Sequence, residues 1–138
     1  MSGIVVDASV ALAWCFPDEA SKYADAVLAV LKGQEMRVPA IWPIEVANTV
    51  WVGIRRKRIR QPDIQRFAVL LTGLRIVEEL QHIPEALGNV LALARELDIS
   101  PYDAAYLDVA FRNDAPLATL DSALQRAARR AGISLVKG

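Results

Sequence analysis

Short apolar runs rich in β-branched residues alternate along this chain with stretches that carry helical periodicity. The first run is GIVVD at residues 3–7, and further strands are expected at residues 36–40, 76–81, 115–120 and 133–136. Strands that are apolar throughout and separated by helices form mostly parallel sheets with both faces covered. The pattern therefore predicts an α/β fold in which a mostly parallel central sheet lies between two layers of helices.

The intervening stretches are typical of helices. Apolar residues recur at i, i+3, i+4, i+7 and i+8 from Tyr23 to Leu31, and Gly33 ends that stripe. Further helices are expected at residues 8–16, from Trp42 to the basic residues near Arg58, and at residues 64–74, 87–97, 100–109 and 121–130. Because the 138 residues contain no linker, repeat or low-complexity tract, we expect a single domain over residues 1–138.

Composition narrows the class of protein. A hydrophobic fraction of 54% excludes a disordered chain, and a net charge of +0 means that any nucleic-acid binding must come from a local patch. The single cysteine, Cys15, cannot form an internal disulfide, and its apolar surroundings predict a buried, inert thiol in a reducing compartment. No targeting signal or membrane span is visible, so we expect a cytoplasmic protein.

Four acidic residues, Asp7, Glu45, Asp103 and Asp121, stand at the ends of predicted strands or in the first turns of predicted helices. In an open α/β sheet these junctions lie along one edge, where the ligand crevice forms. Carboxylates that meet there repel one another, and their pKa values rise unless a cation joins them. Hard oxygen ligands are those that Mg²⁺ and Mn²⁺ prefer. The placement of the acids therefore predicts a divalent-metal site.

Each acid also has a purely structural interpretation. Asp7 and Asp121 occupy positions where a helix N-cap is favoured, and Asp103 follows Ser100 with the spacing of a capping box. Glu45 could be a first-turn acid favoured by the helix dipole. It is the hardest to explain in this way, because its helix is apolar almost all round and a buried, unpaired carboxylate is costly.

Three further polar residues share a predicted helix with one of these acids. Asn48 and Thr49 follow Glu45 by three and four residues, so they share its helix face and could join the same polar pocket. Asp108 follows Asp103 by five residues, which places it roughly 140° around the helix. We therefore exclude Asp108 from the site.

These motifs resemble those of the PIN domain family: an aspartate in VVDAS, a glutamate in PIEVAN, and aspartates in SPYDAAYLDVA and LATLD. Their order and spacing, and the length of the chain, are most similar to the VapC-type toxins, the ribonuclease halves of prokaryotic toxin–antitoxin pairs. The resemblance implies that Asp7, Glu45, Asp103 and Asp121 are the catalytic, metal-binding acids. Ser9 and Thr119 match small hydroxyl residues that flank this site, and Asn48 matches a polar position after the glutamate.

The resemblance also implies a three-layer α/β/α PIN-like nuclease domain. The activity it implies is Mg²⁺- or Mn²⁺-dependent endonucleolytic hydrolysis of RNA phosphodiester bonds. It further implies a VapB-type antitoxin partner and a homodimer. Apolar stripes on the second and fourth helices, which exceed what one small sheet needs, also suggest self-association.

RNA binding beside an acidic pocket requires cations. The basic run near the end of the third helix is the main candidate, and its members are Arg55, Arg56, Lys57, Arg58 and Arg60. The alternative is a solvated helix end whose cations complement the helix dipole. The same two interpretations apply to Arg126, Arg129 and Arg130. The three tryptophans, Trp14, Trp42 and Trp51, are expected to pack in the core and not to stack on bases.

Other functions remain open on the sequence alone. One is a non-catalytic α/β protein-binding domain whose acids are only caps, and another is a housekeeping RNA-processing nuclease without an antitoxin. A phosphatase acting on small esters is disfavoured because Ser9 stands where a DxD motif starting at Asp7 needs its second aspartate. The only histidine, His82, lies outside the motifs, which argues against a zinc site or a histidine base.

Overall fold

The computed structural model of the chain describes residues 3–138. Its strands β1 (Ile4–Val6), β2 (Glu35–Pro39), β3 (Arg75–Glu79) and β4 (Leu117–Ala118) form one sheet in the order β3-β2-β1-β4. The three pairings between neighbouring strands are parallel. The prediction of a parallel sheet is therefore confirmed.

Helices cover the sheet on both faces, which confirms the predicted three-layer α/β/α architecture. They are α1 (Ala8–Cys15), α2 (Lys22–Val30), α3 (Trp42–Arg55), α4 (Gln61–Thr72), α5 (Ile83–Glu85), α6 (Leu91–Leu97), α7 (Pro101–Asn113) and α8 (Ser122–Arg130). A 3₁₀ turn, Pro17–Glu19, follows α1, and a π-helical turn, Ala86–Val90, joins α5 to α6. Among residues 3–138, no helix has both the length and the apolarity that crossing a membrane requires.

The strand β1 lies at the centre of the core. Its three residues are buried, and Val5 pairs with Arg37 on one side and with Leu117 on the other. Gly3, just before the strand, has a φ of +80°, and a Cβ there would lie 2.5 Å from the backbone oxygen of Glu35. Only glycine combines this backbone conformation with so close an approach.

The predicted burial of Cys15 and of the three tryptophans can be compared with the structure. Cys15 is buried, and burial raises the pKa of its thiol to about 11, as expected for an inert cysteine. Trp42 is buried and Trp14 is half-buried, but Trp51 is 55% exposed on α3. The core-packing prediction is therefore wrong for Trp51, because this residue lies on the solvent-exposed side of α3.

The predicted last strand is reduced to a single parallel bridge between Leu117 and Leu135. The N–H of Leu117 donates to the Ser134 oxygen at 2.9 Å, and the N–H of Val136 donates to the Leu117 oxygen at 2.8 Å. Because β4 is only two residues long, it offers residues 133–136 a single pairing position. The apolar run is present as predicted, but it has no partner long enough to make it a strand.

The strand order determines where a crevice can open. The chain passes from β1 to β2 to β3 in one direction across the sheet, and β4 then pairs on the opposite side of β1. The switch point of the fold is therefore the gap between the carboxyl ends of β1 and β4, where ligands bind in open α/β sheets. Asp7 follows β1 directly, and Thr119 follows β4 directly.

Candidate active site

Asp7 lies at this switch point and is only 6% exposed. It is the N-cap of α1, since its Oδ1 accepts a hydrogen bond from the Val10 N–H at 3.3 Å. Its own N–H donates to the Ala118 oxygen at 3.1 Å and so attaches it to the end of β4. The cap interpretation of Asp7 is correct, and the same contacts hold its carboxylate at the carboxyl ends of β1 and β4.

Two hydroxyl groups enclose the Asp7 carboxylate. Ser9 Oγ donates to Oδ1 at 2.6 Å, and Thr119 Oγ1 donates to Oδ2 at 2.6 Å. Each hydroxyl oxygen accepts a backbone N–H at 3.0 Å, from Leu120 and Asp121 respectively. The backbone after β4 therefore orients both hydroxyls toward Asp7. Ser9 and Thr119 lie beside the acid, where the sequence motifs predict them.

Burial raises the pKa of Asp7 above its usual range, although the hydrogen bonds from Ser9, Thr119 and Val10 act in the opposite direction. The charge of Asp121 raises it further. A buried carboxylate that remains costly to ionise despite three donors is one that a cation would stabilise.

Glu45, in the first turn of α3, is held by a residue that the motif analysis did not assign to the site. The hydroxyl of Tyr106, on α7, donates to Glu45 Oε1 at 2.7 Å. Burial raises the pKa of Glu45, the Tyr106 hydrogen bond lowers it, and the charge of Asp103 raises it again. The sequence predicts a helix over residues 100–109 but gives Tyr106 no role in the site. Its spacing of three residues from Asp103 was the available signal, because residues so spaced lie side by side on a helix.

Asp103 and Asp121 complete the acidic set. Ser100 Oγ accepts the Asp103 N–H at 3.1 Å and so caps α7, with Asp103 in its first turn. Burial, followed by the charge of Asp121, raises the pKa of Asp103. Asp121 caps α8, where its Oδ1 accepts the N–H groups of Ala123 at 2.8 Å and Leu124 at 3.3 Å. The cap assigned to Asp121 is thus present as well.

Electrostatic repulsion links the four acids in a chain. Asp121 acts on Asp7 and on Asp103, and Asp103 acts on Glu45. Among residues 3–138, however, no three His, Cys, Asp or Glu side chains are grouped closely enough to hold a metal ion between them. Mg²⁺ is commonly bound through one or two carboxylates and keeps several waters. The oxygen donors here fit such an ion by their chemistry, with water supplying the remaining ligands.

The residues after Glu45 are less involved than expected. Thr49 Oγ1 donates to the Glu45 backbone oxygen at 3.1 Å, so this hydroxyl is engaged within its own helix. Asn48 is exposed one turn after Glu45, and in the described part of the chain its side chain makes no hydrogen bond to the acids. The site therefore gains Tyr106, whereas Asn48 lies at its border.

Asp108 belongs to a different network of contacts, formed with Gln81 and Arg112. Its side chain is buried and accepts a hydrogen bond from Gln81 Nε2 at 3.0 Å, and its Oδ2 lies 3.3 Å from Arg112 Nε. Arg112 also pairs with Glu79 at 3.3 Å. These contacts fasten α7 to the end of β3.

The basic run after α3 divides into two parts. Arg58 pairs with Asp18 at 3.1 Å and with Glu19 at 2.6 Å, and its guanidinium lies 4.8 Å from the centroid of the Phe16 ring. Its hydrogen bond lowers the pKa of Asp18. Arg58 therefore fastens the 3₁₀ turn to the end of α3. The remaining members are exposed: Arg55, Arg56, Lys57 and Arg60.

Comparisons with known proteins agree with this arrangement. The family model of the PIN domain matches residues 4–130. Ribonuclease VapC3 of Pyrobaculum aerophilum is 32% identical over 121 residues, which cover 88% of this chain and 91% of that protein.

Two solved structures share the fold at lower identity. The crystal structure of PAE2754 from Pyrobaculum aerophilum has a TM-score of 0.67 and 23% identity, covering 91% of this chain and 79% of that one. That of FitAcB from Neisseria gonorrhoeae has a TM-score of 0.60 and 17% identity, covering 97% and 96%. Because the family model spans nearly the whole chain and the identity to VapC3 is substantial, this protein belongs to the PIN domain family.

Proposed function

We propose that this protein is a divalent-metal-dependent endoribonuclease, the toxin component of a VapBC-type toxin–antitoxin pair. The observation that carries the proposal is the position of Asp7, Glu45, Asp103 and Asp121 at the N-terminal ends of four helices, where Asp121 acts electrostatically on Asp7 and Asp103, and Asp103 acts on Glu45. The identity to a ribonuclease of the VapC group supports the choice of RNA as substrate. The hydroxyls on both oxygens of Asp7 support a chemical role beyond capping, since a cap needs neither.

The residues that would hold Mg²⁺ or Mn²⁺ are Asp7 and Asp103 directly, with Glu45 and Asp121 binding directly or through water. Such an ion, when bound, supplies a water of lowered pKa and neutralises charge that develops on the phosphoryl oxygens. Ser9 and Thr119 keep the Asp7 carboxylate in one orientation, which pre-organises it for its role.

The charge of the site also makes RNA binding conditional. A phosphate that approaches four ionised carboxylates meets like charge in a partly buried crevice, where the repulsion is stronger than in bulk water. RNA is therefore expected to reach the acids only when a divalent cation has compensated them. Metal and RNA should accordingly bind cooperatively at this edge of the sheet.

The RNA backbone outside the crevice would contact exposed cations. Arg55 lies ten residues after Glu45 on α3, about 15 Å further along the helix axis. Together with Arg56, Lys57 and Arg60 it forms a basic surface within reach of an RNA strand that crosses the acids. Arg58 is excluded from this surface because its guanidinium is engaged with Asp18 and Glu19.

The partners proposed are a VapB-type antitoxin and a second copy of the chain. An antitoxin would neutralise the crevice most simply by placing a basic side chain, such as arginine, among the acids in competition with the metal. Exposed valines, Val30 on α2 and Val69 on α4, support self-association, because burying them against another copy removes apolar surface from water. Sedimentation as a monomer at micromolar concentration would contradict the dimer.

The nuclease is tested by incubating structured and single-stranded RNA with the wild type in Mn²⁺, Mg²⁺ or EDTA. Asp7→Asn and Asp103→Asn serve as site variants, and Asp98→Asn is the matched control. Asp98 is exposed and has a φ of +53°, which asparagine also tolerates. We expect metal-dependent cleavage by the wild type and the control, and its loss in both site variants.

If the wild type cleaves no RNA and divalent metal does not raise its melting temperature, the proposal is wrong. The acids would then serve only as caps and first-turn charges, and a protein-binding role would replace the nuclease.

A further inference from the structure

The hydrogen bond between Tyr106 and Glu45 joins α7 to the first turn of α3. The residues are 61 positions apart, and the phenol oxygen lies 2.7 Å from Glu45 Oε1. The Glu45 carboxylate accepts no other hydrogen bond from the described residues, so its Oε2 has no protein donor among them. One donor from α7 therefore fixes this carboxylate and leaves one of its oxygens available.

Tyr106 itself is rigidly placed. It is only 3% exposed, and it lies within a run of buried residues, Ala104–Ala110, through which α7 packs into the core. A tyrosine has only two main side-chain torsions, so packing its ring also fixes its hydroxyl. The helix that carries it presents Asp103 one turn earlier, so Asp103 and the Tyr106 hydroxyl are held in a constant relation to each other.

Glu45 has little other support. It is half-buried in the first turn of α3, and the residues around it at positions 44, 47 and 48 are exposed. Glutamate is among the side chains that lose most conformational freedom when ordered. Asp7 differs, because two hydroxyls and one backbone N–H hold its shorter side chain. Removal of a single donor should therefore leave Asp7 in place but release Glu45.

We propose that Tyr106 is a positioning residue that holds Glu45 Oε1 and so presents Oε2 toward the divalent cation. The inference rests on the proposed function, because it assumes that the acids bind metal. It adds that α7 contributes two groups to the site, Asp103 as a ligand and Tyr106 as the residue that orients a ligand on α3. Partners that orient metal ligands commonly change metal affinity by about 10- to 100-fold when removed.

The test is the affinity for Mn²⁺ alone, measured by titration calorimetry without RNA. Tyr106→Phe keeps the buried ring and removes only the hydroxyl. Tyr102→Phe removes a hydroxyl from the same helix at an exposed position, where it makes no hydrogen bond to any of residues 3–138. We expect Tyr106→Phe to weaken Mn²⁺ binding by about 10- to 100-fold. Tyr102→Phe should bind as the wild type does.

A double-mutant cycle separates positioning from a general loss of structure. If Tyr106 acts through Glu45, Tyr106→Phe causes no additional loss of Mn²⁺ affinity in a Glu45→Gln background. Wild-type affinity in Tyr106→Phe, or a loss of equal size in both backgrounds, would overturn the inference while leaving the proposed function intact. Absence of Mn²⁺ binding by the wild type would overturn both. Melting temperatures in EDTA establish that each variant is folded before its affinity is compared.

Discussion

Thr119 Oγ1 lies 2.6 Å from Asp7 Oδ2, although 112 residues separate the two in the sequence. The contact arises because β1 and β4 are parallel neighbours, so the residues that follow them emerge side by side. Thr119 is fully buried, and its oxygen accepts the Asp121 N–H at 3.0 Å. Its own proton is therefore directed at Asp7. A single hydroxyl thus connects two of the acids across the switch point of the sheet.

Replacing Thr119 with valine should destabilise the protein. Valine has nearly the same shape but no hydroxyl, so it leaves the buried Asp7 oxygen without this donor. A hydrogen bond to a charged group contributes about 1.5–3 kcal/mol to stability, and we expect a loss of that size in the free energy of unfolding. Urea denaturation at neutral pH measures it.

Thr72→Val is the matched control for this loss. The Thr72 hydroxyl donates to the Val69 oxygen at 2.6 Å at the exposed end of α4. Water can replace that bond, so the change should stay within about 0.5 kcal/mol. Equal losses in the two variants would mean that the Thr119 hydroxyl has no special relation to the buried carboxylate.

Replacing Glu45 with glutamine should stabilise the metal-free protein at neutral pH. Burial, followed by the charge of Asp103, raises the pKa of Glu45 in the folded state. The contribution of such a group to stability is fully present below its unfolded pKa and is lost as pH rises through its folded pKa. Ionised Glu45 is thus unfavourable at pH 7.5, whereas glutamine is neutral and still offers Tyr106 an acceptor oxygen.

Urea denaturation in EDTA at several pH values checks this prediction. The advantage of Glu45→Gln should shrink as pH falls through the raised pKa of Glu45. Glu96→Gln, at an exposed acid on α6, should show no such trend. With Mg²⁺ at 100 times its Kd, the wild type should gain about 2.7 kcal/mol and the order of the two proteins should reverse. A loss of stability in Glu45→Gln in EDTA would contradict the prediction.

The sequence predicts the fold well because the fold depends on local patterns, and the same patterns place the four acids at strand ends and helix starts. The helical periodicity from Tyr23 to Leu31 leads to α2, and the β-branched run before Asp7 leads to β1. Once strands and helices alternate, the parallel sheet follows, and the acids at the junctions share one edge. The caps formed by Asp7 and Asp121 were equally predictable from their positions before helices.

Contacts between distant segments were not predictable in this way. The hydrogen bond from Tyr106 to Glu45 depends on how α7 crosses the start of α3, and no local pattern encodes that crossing. The pairing of Arg58 with Asp18 likewise depends on where the 3₁₀ turn packs. The last apolar run failed as a strand because its partner β4 is so short. The apolar pattern of a segment indicates that the segment is buried, but it does not indicate how long the strand beside it will be.

Gly53→Ala should destabilise the protein even though alanine favours helices. A Cβ at position 53 would overlap Cε1 of Phe16 and lie 2.6 Å from its Cζ, where the end of α3 packs on α1. Phe16 is 1% exposed and is also covered by Arg58, so its ring has little room to move. Overpacking of this kind costs about 1–3 kcal/mol.

Gly88→Ala, the same substitution at another position, should instead stabilise the protein. A Cβ at position 88 would have no heavy atom within 4 Å. We expect a gain of roughly 0.4–1 kcal/mol, because alanine reduces the freedom of the unfolded chain. Thermal and urea unfolding of the two variants measure whether Gly53→Ala lowers and Gly88→Ala raises the free energy of unfolding. If both were stabilised, the contact between α1 and α3 would be looser than the structure indicates.

Charge removal from the exposed part of the basic run should weaken RNA binding in a salt-dependent manner. Arg55→Ala with Arg56→Ala removes two exposed cations near the end of α3. If both contact phosphates of a single strand, the slope of log K against log salt should decrease in magnitude by about 1.4. Binding is measured in an Asp103→Asn background so that the RNA stays intact. The control is Arg75→Ala with Arg95→Ala, which changes the net charge by the same amount. Both arginines are exposed and make no ion pair in the described part of the chain.

An unchanged slope in the Arg55 and Arg56 variant would show that this surface is only a solvated helix end. RNA would then have to be bound by other cations. The next candidates are on α8: Arg126, Arg129 and Arg130. Asp121 is the N-cap of that helix, so its arginines lie about 8–14 Å from the acid along the axis. An equal decrease in the control pair would instead mean that RNA responds to net charge alone, and neither surface would then be a specific RNA path.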